Sequence, residues 1–251
     1  MLTMNNTRLE FEQAGCKTAV LPIGALEQHG SHLPVGTDTI FAGELSRRLA
    51  DKLDAYLLPV IPISSSIEHR ESQGTVYLLS TTLALIVRDI AESLRHSGYN
   101  KLIVVNYHGG NWSLKPAIRQ LNKDYAAVQA EMEVILLFTP GIPDPRLAEI
   151  VEHTRHDVHA GEFETSLMLA LHPELVKEIR PQSEPTEVPQ DYMDYFDTSE
   201  LTEDGYWGFP EAATAEKGAK LMELQVDMGL QYLAKLEAYK RKVAAKKQAL
   251  E

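Results

Sequence analysis

The strongest constraint on how this chain can fold is a repeated alternation of short apolar runs with polar turns and amphipathic stretches. Thr18–Ile23 (TAVLPI), residues 56–63, Lys101–Asn106 (KLIVVN) and residues 133–138 read as buried strands. Between them, residues 39–53, 82–96 and 113–127 place apolar side chains at helical spacing. Phe41, Leu45 and Leu49 share one face of the first helix, and Gly98 stops the second. Asp38 or Thr39 is positioned to cap the first helix and Thr81 or Thr82 the second. Strands that alternate with helices and are apolar throughout belong to parallel sheets buried on both faces. The expected class is therefore α/β, a short, mostly parallel sheet flanked by helices on both faces.

The remainder reads as one domain over residues 1–251. A short helix is expected over 146–153 and another over 161–171, ended by Pro173. Residues 181–211, rich in Pro, Asp, Glu and Tyr, read as a surface excursion. Residues 212–247 read as one long helix with a basic, solvated end.

In parallel sheets, ligands bind beyond the carboxyl ends of the strands. The loop after the first run carries Glu27, His29, His32 and Asp38, and the loop after the second carries Glu68 and His69. His108 follows the third run, and the fourth leads to His153, His156 and His159. Seven of the nine histidines thus fall at one expected sheet edge, where a purely structural use would scatter them. Carboxylates with neutral imidazoles suit Zn, Mn or Fe, and a carboxylate can bridge two ions. His108 opens a His-Gly-Gly-Asn turn, where the backbone can pass close to a ligand. Glu162 and Glu164 fall in the first turn of a helix, where capping explains a carboxylate as readily as catalysis does. His159 just before them can act as an acid or base.

Composition narrows the partners. A formal net charge of −12 argues against nucleic acid or an anionic membrane surface, both of which require a basic face. One cysteine, Cys16, permits no intrachain disulfide. The first residues show no leader pattern, and no apolar run approaches the roughly 18 residues of a membrane span. A cytoplasmic location is expected.

Three segments together resemble the creatininase family: LPIGALEQHGSHLPVGTD from Leu21 to Asp38, NYHGGN from Asn106 to Asn111, and HAGEFETS from His159 to Ser166. The resemblance runs over roughly residues 17–175 and implies an α/β fold, a centre of two divalent metal ions, amide hydrolysis in small molecules, and a homohexamer. By motif, Glu27 and His108 resemble ligands of one ion, His29 a ligand of the other, and Asp38 the bridging carboxylate. His159 resembles the catalytic histidine.

One departure stands out. Creatininase carries a ligand glutamate two residues after the histidine matching His108, where this chain has Gly110, and it lacks a carboxylate at the position of Glu162. The expectation is that Glu162 supplies the missing ligand, and that Glu164, the family's shared second glutamate, joins His159 in catalysis.

Creatininase packs its substrate against tryptophans ahead of the third segment, but the tryptophans here are Trp112 and Trp207. Creatinine is therefore not the expected substrate. His32, Glu68, His69, Arg70 and Trp112 are candidates to contact the substrate, a cyclic amide or a formamide. Alternatives are a cyclic polyol ketone of the dehydro-inosose type opened at a C–C bond, and a non-catalytic assembly protein that keeps its metals.

Overall fold

The structure, a computed structural model, describes residues 1–154, 156–183 and 186–248. Residues 249–251, the end of the basic tail, lie outside the described residues. The elements in chain order are α1 (Arg8–Ala14), β1 (Thr18–Ile23), α2 (Thr37–Leu53), β2 (Tyr56–Leu57), α3 (Ser80–His96), β3 (Lys101–Asn106), α4 (Leu114–Ala127), β4 (Glu133–Leu137), α5 (Glu162–Leu171), α6 (Thr198–Leu201) and α7 (Ala215–Gln248). The strands form one parallel sheet in the order β2-β1-β3-β4.

Alternation along each strand sends side chains to two cores. Val20, Ile103, Val105 and Leu137 face α2, α5 and α7, meeting Phe41, Leu45, Leu49, Leu167, Leu221 and Val226. Leu21, Ile23, Leu102 and Val104 face α3 and α4, meeting Leu83, Val87, Leu114 and Ile118. Both faces are covered, as the unbroken apolar runs require.

Two boundaries differ from the sequence expectation, each for a local reason. The second run contracts to Tyr56–Leu57 because Pro59 and Pro62 cannot donate to a ladder. Isolated bonds from Leu58 to Val20 and from Ile61 to Pro22 still tether it to β1. The helix expected over 146–153 is a 3-10 turn, Pro145–Glu149. The early helix α1, not foreseen, is marked by a capping box between Thr7 and Glu10.

Residues 181–211 are not purely superficial. Their return arm runs inward, where Trp207 exchanges main-chain hydrogen bonds with His159 and is almost wholly buried. Gly205 and Asp204 accept hydrogen bonds from the Gln28 side chain and the Ser31 amide.

The register brings the active loops together. Ile23 pairs with Asn106, so the loops leaving β1 and β3 emerge side by side. A Cβ on Gly24 would fall on the main chain of Thr39, so this glycine lets the start of α2 lie against the end of β1. Asp38, in the first turn of α2 rather than at its cap, is thereby held beside Glu27 and His108.

Candidate metal centre

Glu27, His29, Asp38 and His108 converge in a buried cluster beyond the ends of β1 and β3, each at most 4% exposed. His29 Nδ1 lies 3.1 Å from the carbonyl oxygen of Glu27, an acceptor only, so Nδ1 carries the proton and donates. The other nitrogen, Nε2, is thus turned toward two carboxylates, Asp38 Oδ1 at 3.4 Å and Glu164 Oε2 at 3.8 Å. His108 repeats this logic. Its Nε2 donates to the carbonyl of Ser65 at 2.7 Å, which turns Nδ1 toward Glu27 Oε2 at 3.1 Å and Asp38 Oδ2 at 3.2 Å. The two oxygens of Asp38 therefore address different histidines.

Lone pairs facing carboxylates in a buried site repel unless positive charge lies between them. Burial disfavours a charged His29, yet Asp38, Glu164 and Glu27 overcome it and lift its pKa to about 10. His108 is likewise raised well above the usual value, with Glu27, Asp38 and Glu68 outweighing burial. Burial also works against a charged Asp38, but His29 and His108 hold its pKa below the usual carboxylate range. Glu164 is pushed up to about 7 by burial, with His29 pulling the other way. Glu27 Oε2, His29 Nε2 and Asp38 Oδ2 are buried with no hydrogen-bond partner among the described residues. Converging, unpartnered oxygen and nitrogen donors are what divalent cations bind. Donor atoms within 4.8 Å of one another form three overlapping triads: Glu27, His29 and His159; Glu27, Glu68 and His108; His29, Asp38 and Glu164.

Glu162 lies apart from these triads. Its carboxylate accepts from the amides of Glu152 (3.0 Å) and His153 (2.8 Å), from His153 Nδ1 (3.1 Å) and from Lys217 Nζ (2.7 Å). Two residues on a helix differ by about 200° in direction, so Glu162 and Glu164 cannot face the same side. It is Glu164 that faces the cluster, while its Oε2 accepts from the Ala160 amide at 2.6 Å. Neither glutamate caps α5. That task falls to the half-buried Asp157, which accepts from the amides of Glu162 and Phe163 at 2.8 and 2.9 Å.

The His159 ring lies between those of His29 and His69, tilted to each, with ring centroids 4.3 and 4.5 Å away. Its Nε2 donates to the carbonyl of Gln28 at 2.7 Å, leaving Nδ1 3.8 Å from Glu27 Oε1. Burial, then His29 and His69, hold its pKa well below the usual value. Gln28, which the sequence reading passes over, ties the wall together. Its Nε2 lies 2.9 Å from His69 Nδ1 and 2.7 Å from the Gly205 carbonyl.

The other candidates divide. Glu68 and His69 line the cluster, at 3.4 Å from His108 and 3.7 Å from Glu27. His32 is buried but turned away, its Nε2 between the Ala160 carbonyl (3.1 Å) and Thr165 Oγ1 (3.0 Å). Arg70 is half exposed and pairs with Glu71 and Asp197. Trp112 is 69% exposed. His153 stacks on Phe209 outside the cluster.

Comparison with known proteins agrees with this fold. The creatininase family model, described as creatinine amidohydrolase, matches residues 3–233. A creatinine amidohydrolase of Pseudomonas putida is 30% identical over 229 residues, spanning 85% of this chain and 87% of that protein. A mycofactocin precursor peptide peptidase of Mycobacterium tuberculosis is 28% identical over 221 residues, spanning 83% and 81%. A solved structure described as Creatininase Mn aligns with a TM-score of 0.80 and 26% identity, covering 90% of this chain and 95% of that one. With the family matched across nearly its whole length, this chain belongs to the creatininase family.

Proposed function

We propose that this chain is a metal-dependent hydrolase that cleaves a C–N amide bond, in a cyclic amide or a formamide, in a small molecule. Two divalent ions, Zn, Mn or Fe, would share Asp38, with Glu27 and His108 holding one and His29 and Glu164 the other. The observation that carries this reading is the set of buried, unpartnered donor atoms on Glu27, His29 and Asp38. The names of the two relatives, an amidohydrolase and a peptidase, favour a C–N bond.

Divalent ions bound there would lower the pKa of water and polarise a carbonyl. The protein's own groups account for the rest. The carbonyls of Glu27 and Ser65 take His29 Nδ1 and His108 Nε2 as donors, which leaves His29 Nε2 and His108 Nδ1 facing the metal site. His159 is kept neutral by burial, with Nδ1 free on the cluster side and Nε2 tied to Gln28. It can accept a proton at Nδ1 and pass it to the departing nitrogen. His69 and the return arm through Gly205 and Trp207 restrict water around it.

The substrate is expected to differ from creatinine. Trp207 is buried in the return arm and Trp112 lies open to solvent. Among the described residues, no helix is long and apolar enough to cross a membrane. A cytoplasmic homohexamer remains part of the proposal, and light scattering would test the assembly.

The deciding experiment is elemental analysis of the purified protein, followed by a screen of small amides and formamides with products identified by mass spectrometry. About two ions per chain and release of an amine or formate are expected. No metal after incubation with Zn, Mn or Fe would refute the reading.

A further inference from the structure

We propose that Glu68 is a positioning residue that, beside the Ser65 carbonyl, keeps the His108 ring turned with Nδ1 toward the metal site, and that residue 110 is glycine to leave room for the Glu68 carboxylate. The proposal rests on the metal-centre reading and adds to it a residue outside the five ligands. The sequence reading looks to Glu162 for the carboxylate that Gly110 does not provide. The geometry puts Glu68 in that space instead.

A Cβ built on Gly110 would overlap Glu68 Oε1, would lie 2.8 Å from its Cδ, and would stand 2.5 Å from His108 Nε2. All are closer than such atoms approach in folded proteins. The neighbouring Gly109 has nothing within 4 Å of its Cβ position. Of the two glycines, then, only Gly110 is dictated by space, and what occupies that space is the Glu68 carboxylate and the His108 ring.

Glu68 reaches this place from the 3-10 turn Ile67–His69, and its side chain is only 12% exposed. Its Oε1 lies 3.4 Å from His108 Nε2, on the side of the ring opposite the Nδ1 that faces Glu27 and Asp38. The Nε2 proton is directed at the Ser65 carbonyl at 2.7 Å, Ser66 Oγ lies 3.4 Å from the same nitrogen, and the Glu68 carboxylate stands beside them. A carboxylate behind an imidazole fixes its tautomer and makes the opposite nitrogen a better metal donor.

The test is a titration of the metal-free full-length protein with Zn against a chromogenic chelator. It compares wild type with Glu68→Ala, Glu68→Gln, Gly110→Ala and Gly109→Ala. Glu68→Ala and Gly110→Ala are expected to weaken one of two Zn sites by about 10- to 100-fold. Glu68→Gln, which keeps an oxygen beside Nε2, should recover part of the loss, and Gly109→Ala should match wild type.

Zn binding by Glu68→Ala within about twofold of wild type would overturn the proposal, with the metal-centre reading intact. So would a Glu68→Gln variant that binds Zn no better than Glu68→Ala. A wild-type chain that takes up no Zn would overturn both.

Discussion

His29 donates its Nδ1 proton to the main-chain carbonyl of Glu27, two residues earlier, at 3.1 Å. Because the acceptor is backbone, the tautomer is set by the turn itself and needs no second side chain. The consequence is an imidazole Nε2 committed to a buried space shared with carboxylates. A divalent cation relieves that arrangement more fully than protons do, since protons on the imidazoles neutralise only part of the carboxylate charge.

Metal binding should therefore stabilise the fold through Asp38. Adding Zn at about 100 times its Kd is expected to contribute about 2.7 kcal/mol to unfolding stability. Asp38→Ala should abolish this increment and the occupancy of both ions, because its two oxygens address both histidines. Differential scanning calorimetry with and without Zn, together with elemental analysis, reads both effects. Retention of two ions per chain by the variant would refute the bridging role.

The two glutamates of α5 should separate by phenotype. Glu162→Ala leaves the Glu152 and His153 amides and Lys217 without their shared acceptor. A loss of about 3 kcal/mol is expected, with metal content unchanged. Glu164→Gln should keep the fold to within about 1 kcal/mol but weaken one ion by about 10- to 100-fold. Urea unfolding and Zn titration of both variants check this, and the reverse pattern would return Glu162 to the metal centre.

How much of this was legible in the sequence depends on what sets each feature. The four strands and the two-sided helical cover follow from apolar runs and helical periodicity, which are local. Convergence of Glu27, Asp38 and His108 was readable because loops after neighbouring parallel strands emerge on one side. The exchange between Glu162 and Glu164 was not readable, because it turns on a rotation of about 200° about α5 and on Lys217, 55 residues downstream. The cap of that helix, Asp157, hid in a loop rich in other polar residues. The role of Gln28 depends on Gly205, brought in by an arm with no periodic pattern. His32 matched the resemblance by position, yet it serves packing, its Nε2 set against the Ala160 carbonyl and Thr165.

That packing role has a pH signature. Burial pushes the His32 pKa down to about 4, opposed in part by its bond to Ala160. An unfolded histidine takes up a proton below about 6.5, and the folded one resists it. The contribution of His32 is thus fully present above about 6.5 and is lost as pH falls toward 4, at up to about 1.4 kcal/mol per pH unit. Urea unfolding between pH 7.5 and 4.5, with chelator present, should show a shallower pH dependence for His32→Gln than for wild type. Equal slopes would mean that His32 is protonated in the fold.

His159 should affect turnover without affecting metal content. Its Nε2 is committed to Gln28 and its ring is wedged between His29 and His69, so Nδ1 is the atom free to exchange a proton. Removing a positioned acid or base costs about a hundredfold to ten-thousandfold in rate. His159→Ala is expected to lose turnover on that scale against whichever amide the screen identifies, with metal content and Zn affinity as in wild type. A rate equal to wild type would remove His159 from the reaction. A loss of one ion together with the rate would instead make it a ligand, in keeping with its place beside Glu27 and His29 in one donor triad.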